Sequence, residues 1–106
     1  MYTVVREYRM TQGSMDDLMH RIDVGIADVF ADQEGFLSYE VLDAGDGRLL
    51  TITAFTDRSS AENSSALAAD FVRDELAGFG LTRTGHTLGE VMVSRAGSGM
   101  LEPIHH

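Results

Sequence analysis

The chain has 106 residues, 43% of them hydrophobic and 24% charged, the balance of one globular domain. It holds no cysteine and no lysine, which excludes disulfides, thiolate nucleophiles, Cys-based metal sites and Schiff-base chemistry on a side-chain amine. A net charge of -9 argues against a nucleic-acid backbone or an acidic membrane surface as partner.

Tyr2 to Met10 is rich in β-branched and aromatic residues and reads as the first strand, with Val4, Arg6, Tyr8 and Met10 on one face. Thr11-Gln12-Gly13 is a turn. Ser14 with Asp17 forms an N-cap signal, and a helix is expected from there to about Asp32. Met15, Leu18, Met19, Ile22, Ile26, Val29 and Phe30 form one apolar stripe on it. Gly25 interrupts this stripe, so one helix with a bend is expected.

Phe36 to Asp43 alternates as a second strand, with Leu37, Tyr39 and Val41 assigned to one face. Asp46-Gly47 is a hairpin signal. Leu49 to Thr56 follows as a third strand with apolar groups on both faces, the mark of a central strand covered twice. Asp57 and Ser59 are alternative N-caps of a second helix reaching about Ala77, with Gly78 as its stop. Phe79 to Thr87 reads as a loop and Leu88 to Arg95 as the fourth strand. Residues 1–96 are expected to form the domain, and 97–106 a flexible tail.

The order strand, helix, hairpin, helix, strand predicts a ferredoxin-like βαββαβ α+β fold, with both helices on one face of a four-stranded antiparallel sheet. Leu50, Ile52 and Ala54, with apolar neighbours on both faces of strands two and four (Leu37, Tyr39, Val41, Val91 and Val93), imply that the sheet face away from the helices is buried too. Either a second copy packs sheet to sheet as a two-fold homodimer, or the segment after Phe79 or the tail folds over it.

The chain resembles the antibiotic biosynthesis monooxygenase-like group of dimeric α+β barrels. The resemblance rests on the first strand with its glycine turn, on Gly35-Phe36-Leu37-Ser38-Tyr39, on Thr53-Ala54-Phe55-Thr56-Asp57 and on Gly89-Glu90-Val91. It covers residues 2 to 95. It implies a small-molecule pocket between sheet and helices, in a group that includes cofactor-free oxygenases of aromatic polyketides, haem-degrading enzymes and isomerases. Arg6 stands where the haem-degrading members carry asparagine. Their iron-ligating histidine aligns near Arg73, and the pocket tryptophan common in these members has no counterpart. Haem ligation of that kind is therefore not expected, and no cofactor is.

Arg6 shares its strand face with apolar neighbours, so its guanidinium is a candidate donor to a carboxylate, phenolate or enolate. The other reading pairs it with a local glutamate or lets it snorkel to water. Tyr8, Arg21, Ile22, Ser64 and Phe71 complete the candidate pocket, with Tyr39 as a further phenol. Ser64, Ser65 and Ala68 either leave a cavity beside Phe71 or let the helix sit close to the sheet. His20 faces solvent, and His86 is assigned to the loop before strand four.

No nucleophile elbow, phosphate-binding loop, His-Glu-x-x-His or EF-hand pattern is present. No apolar run reaches the ~18 to 20 residues of a membrane span, and the first residues lack a signal-peptide order, so a cytoplasmic location is expected. Two functions stay open. One is a cofactor-independent monooxygenase acting on an aromatic or enolisable substrate. The other is a non-catalytic ligand-binding or interaction module on the same fold.

Overall fold

The computed structural model describes residues 1–95. Strand β1 (Tyr2–Arg9) leads to helices α1 (Met15–Val24) and α2 (Ile26–Ala31), then to the hairpin of β2 (Phe36–Gly45) and β3 (Arg48–Phe55). Helix α3 (Arg58–Glu75), a short 3-10 turn (Ala77–Phe79) and β4 (Thr82–Glu90) follow. The sheet order is β2-β3-β1-β4, antiparallel throughout, with the helices packed on one face. This is the ferredoxin-like α+β fold expected from the element order. No helix among the described residues is long and apolar enough to cross a membrane.

Local chemistry explains most boundaries. Ser14 accepts the Asp17 backbone N–H at 3.2 Å and starts α1 as expected. Asp46 and Gly47 both take positive φ, 56° and 76°, and close the two-residue hairpin. Of the two caps proposed for α3, Asp57 is the one used: its carboxylate accepts the Ser60 backbone N–H at 2.7 Å. Those hydrogen bonds, from Ser60 first, hold the Asp57 carboxyl below its usual range.

Four expectations need correction. The first helix is broken at Gly25, whose φ and ψ of -116° and -90° are not helical. The cause is tertiary: a Cβ there would overlap the Phe71 ring of α3. Glycine lets the two helices meet at van der Waals distance, and the chain changes direction to allow it. At the end of α3 the left-handed residue is Gly80 (φ 59°) and not Gly78.

The fourth strand is shifted toward the N-terminus. Thr82–Glu90 pairs with β1, whereas residues 91–95 form no strand and Met92 and Val93 are 79% and 91% exposed. Strand β4 lies at the sheet edge and is held by backbone pairing with β1, with Leu88 as its one side chain packed against the Val4–Phe55 cluster. His86 therefore sits in a strand, opposite Arg6, and not in a loop.

On β2, a bulge between Phe36 and Ser38 breaks the alternation. Phe36, Tyr39 and Val41 pack toward the helices, while Leu37 is exposed. The face away from the helices thus carries Val5, Leu42, Leu50 and Ile52, without the contributions expected from Val91 and Val93. The tail expected beyond residue 96 lies outside the described residues.

Candidate functional site

Strand alternation places Val4, Arg6 and Tyr8 on the helix side of β1, all buried. Arg6 is 1% exposed, the largest fully buried side chain of the described residues. Its Nη2 donates to Ser64 Oγ at 2.9 Å and to Ser65 Oγ at 3.1 Å on α3. Its Nε and Nη1 have no hydrogen-bond partner. No carboxylate among the described residues forms an ion pair with it. Burial pulls the guanidinium pKa down from its ordinary value, yet arginine stays protonated in proteins. A cation is held in the core by two neutral hydroxyls, with two nitrogens left over.

The small residues of α3 make this possible. Ser64 is buried, and its hydroxyl donates to the Ala61 carbonyl at 2.6 Å, so its oxygen is free to accept from Arg6. Ser65 Oγ lies 3.3 Å from His86 Nε2. Burial, then the charges of Arg6 and Arg83, push the His86 pKa below its ordinary value. A neutral imidazole accepting the Ser65 proton suits this arrangement, because Ser65 already accepts from Arg6.

Between the sheet and the helices lies an apolar cavity of about 30 Å3, which Arg6 itself does not line. Tyr8, Ile22, Phe30, Tyr39, Ala68 and Phe71 are among its walls. Thr51, the cross-strand partner of Arg6, lines it as well. Tyr39 is fixed edge-on against Phe30, with ring centroids 5.1 Å apart. Burial raises the pKa of both Tyr8 and Tyr39, so each phenol is a proton donor and not a base at neutral pH.

Of the site residues expected from sequence, Tyr8, Ile22 and Phe71 meet at this cavity. Arg6 and Ser64 meet each other but, against expectation, neither lines the cavity; Ser64 lies one helical turn before Ala68, which does. Arg21 is elsewhere: it is exposed and caps α3, donating to the Glu75 carbonyl at 3.1 Å. Arg73, likewise exposed, pairs with Asp70 and Asp74 at 3.2 and 2.9 Å. Sequence reasoning left out Ile26, Phe30 and Leu76 as pocket walls, though their helical stripe carried the signal. It also left out Arg83, because its segment reads as a loop. No cluster of three metal-ligating side chains occurs among the described residues.

The model of the antibiotic biosynthesis monooxygenase family matches residues 1–69, which hold β1, the hairpin, Arg6 and the serines of α3. The chain belongs to that family. Among curated proteins none matches it in sequence. Solved structures match at the level of fold. The cofactor-independent oxygenase SnoaB from Streptomyces nogalater superposes with a TM-score of 0.66 at 22% identity, over 88% of this chain and 94% of that one. The heme-degrader MhuD from Mycobacterium tuberculosis, with two hemes bound in its active site, gives 0.64 at 17% identity, over 91% and 100%. HapK from Hahella chejuensis gives 0.62 at 14% identity, over 93% and 100%. In this chain that fold holds a buried arginine and an apolar cavity between sheet and helices.

Proposed function

We propose that the protein binds a small aromatic or enolisable molecule beside Arg6 and oxygenates it without a bound cofactor. One observation carries this reading: a fully buried guanidinium with two unpartnered nitrogens, whose strand neighbours Tyr8 and Thr51 line an apolar cavity. A charge left so is costly unless an anion completes it. An enolate or phenolate oxygen supplies two lone-pair acceptors to such a fork.

The chemistry then follows from the charge. Arg6 favours the ionised form of the substrate and lowers its pKa, which matters because no carboxylate or imidazole lines the cavity. The substrate methylene gives a proton to a water molecule, the resulting carbanion gives its electrons to dioxygen, and the peroxide takes that proton back. The hydroperoxide formed at that carbon loses water and leaves a carbonyl. One oxygen atom ends in the product and the other in water. The protein's share is to hold the anion, exclude water and present the phenol donors of Tyr8 and Tyr39.

The test uses anthrone as a tricyclic enolisable probe. Dioxygen uptake above the buffer rate is expected, with one equivalent of anthraquinone carrying a single labelled oxygen from 18O2. Binding of anthrone with no uptake above background would reject the oxygenase and leave the second reading, a binding module. The missing base is the feature that favours that second reading.

The residues present do not suit haem. No histidine lines the cavity to ligate an iron. Equimolar haem is therefore expected to give no sharp Soret shift. A sharp shift abolished by changing one histidine would refute this.

The same reading includes a homodimer formed through the uncovered sheet face. Val5, Leu42, Leu50 and Ile52 form its apolar part, flanked by the Glu7–Arg48 ion pair at 3.0 Å. A contiguous apolar patch on a sheet marks an interaction surface, and a self-complementary one closes as a two-fold pair.

A further inference from the structure

At about 30 Å3 the cavity is too small for a ring system, so a ligand that enters it has to displace part of its walls. Three grooves adjoin it, and each shares two wall residues with it. Ile22 and Tyr39 separate it from a groove rimmed by Asp23. Ile26 and Phe71 separate it from one rimmed by Asp70, Asp74 and Glu75. Tyr8 and Val72 separate it from the third, of about 330 Å3, whose charged residues are Arg73 and Arg83.

In a chain of net charge -9 this third groove is the exception. Its two arginines are not equivalent. Arg73 is spent on Asp70 and Asp74, whereas Arg83 has no carboxylate within ion-pair distance among the described residues. Arg83 also reaches this groove by a specific backbone device. In β4, His86 faces Arg6 and Gly85 faces Glu7. Plain alternation would put Thr84 beside Tyr8 and turn Arg83 to the opposite face. A bulge between Glu7 and Tyr8 inserts one residue, so that Arg83 stands opposite Tyr8, on the helix side. Bulges re-aim side chains at sheet edges, often next to sites.

We propose that Arg83 binds a carboxylate of the substrate. The ligand is then an elongated aromatic acid, its reacting ring beside Arg6 and its carboxylate in the Arg83 groove. Rotation of the Tyr8 and Val72 side chains joins groove and cavity into one site. This rests on the pocket reading given above and adds the substrate's charge and its direction of approach. Arg83 is a specificity residue in this scheme and leaves the oxygenation step to Arg6.

The experiment compares anthraquinone-2-carboxylate with its carboxamide, which differ in charge and hardly in shape. The wild type is expected to bind the acid roughly tenfold more tightly, the worth of one charge-assisted contact at a groove rim. Arg83→Gln should remove that preference while the carboxamide binds as before. Arg83→Lys should keep part of it, because a point charge replaces the fork. Arg58→Gln, at the far end of α3, should leave the preference intact. Arg83 is exposed, so the variants should melt with the wild type. An acid preference that survives Arg83→Gln, or that disappears in Arg6→Met instead, overturns the assignment while the pocket stands. Failure of the wild type to bind either compound overturns the pocket reading and this one with it.

Discussion

Arg6→Met is expected to melt higher than the wild type in the absence of ligand. The wild type holds a buried cation with two unpartnered nitrogens and no acidic partner, an arrangement whose desolvation is uncompensated. Replacing buried charges by apolar groups of similar volume has stabilised other proteins by roughly 1 to 4 kcal/mol. In a domain of this size each kcal/mol moves the melting temperature by about 4 to 8 °C. Methionine fills similar space and adapts to irregular walls. The substitution also orphans no donor, because Ser64 keeps its bond to the Ala61 carbonyl and Ser65 keeps His86. The gain in stability should come with a loss. Small phenolates should raise the melting temperature of the wild type by binding the native state, and Arg6→Met should not respond. Equal shifts in the two proteins would remove Arg6 from the site. A variant less stable than the wild type would make Arg6 a structural residue held by its serines.

The site was legible where side-chain period alone decides. Val4, Arg6 and Tyr8 alternate, so the sequence is enough to put Arg6 under the helices. The run of Ser64, Ser65 and Ala68 likewise marks where α3 approaches the sheet. Three things were not legible, each because tertiary contact overrides local pattern. Gly25 reads as a tolerable interruption until Phe71 is known to press on it. Strand β4 carries few apolar side chains and owes its existence to pairing with β1, so alternation in the sequence points to the apolar run after it. The same pattern puts Arg83 and His86 in a loop, whereas both lie in β4. Gly85 was the one local hint, since glycine inside a strand often marks a bulge. At the cap of α3 both Asp57 and Ser59 satisfy the local rule, and the helix starts on Asp57, whose carboxylate accepts the Ser60 N–H.

Ile52→Asp is expected to convert a dimer into a monomer. Ile52 lies mid-strand on β3, between Val5 of β1 and Glu40 of β2, on the face that no helix covers. It is partly exposed within the chain, so a carboxylate there can stay hydrated in the monomer and the fold should persist. In a two-fold pair the same position comes from both copies. Each would bury an unpaired charge beside apolar Val5 and Leu50, and the two carboxylates together with Glu40 would repel one another. A cost of about 2 kcal/mol per copy raises the dimer Kd by roughly a thousandfold. Light scattering at micromolar concentration should then give a dimer for the wild type and a monomer for the variant, with similar far-UV circular dichroism. Ile52→Thr separates interface from fold, because it keeps the β-branched backbone preference and adds one hydroxyl but no charge. It should weaken the dimer far less. A wild type that stays monomeric under these conditions rejects the sheet-to-sheet pair, and the apolar face of β3 would then have another occupant.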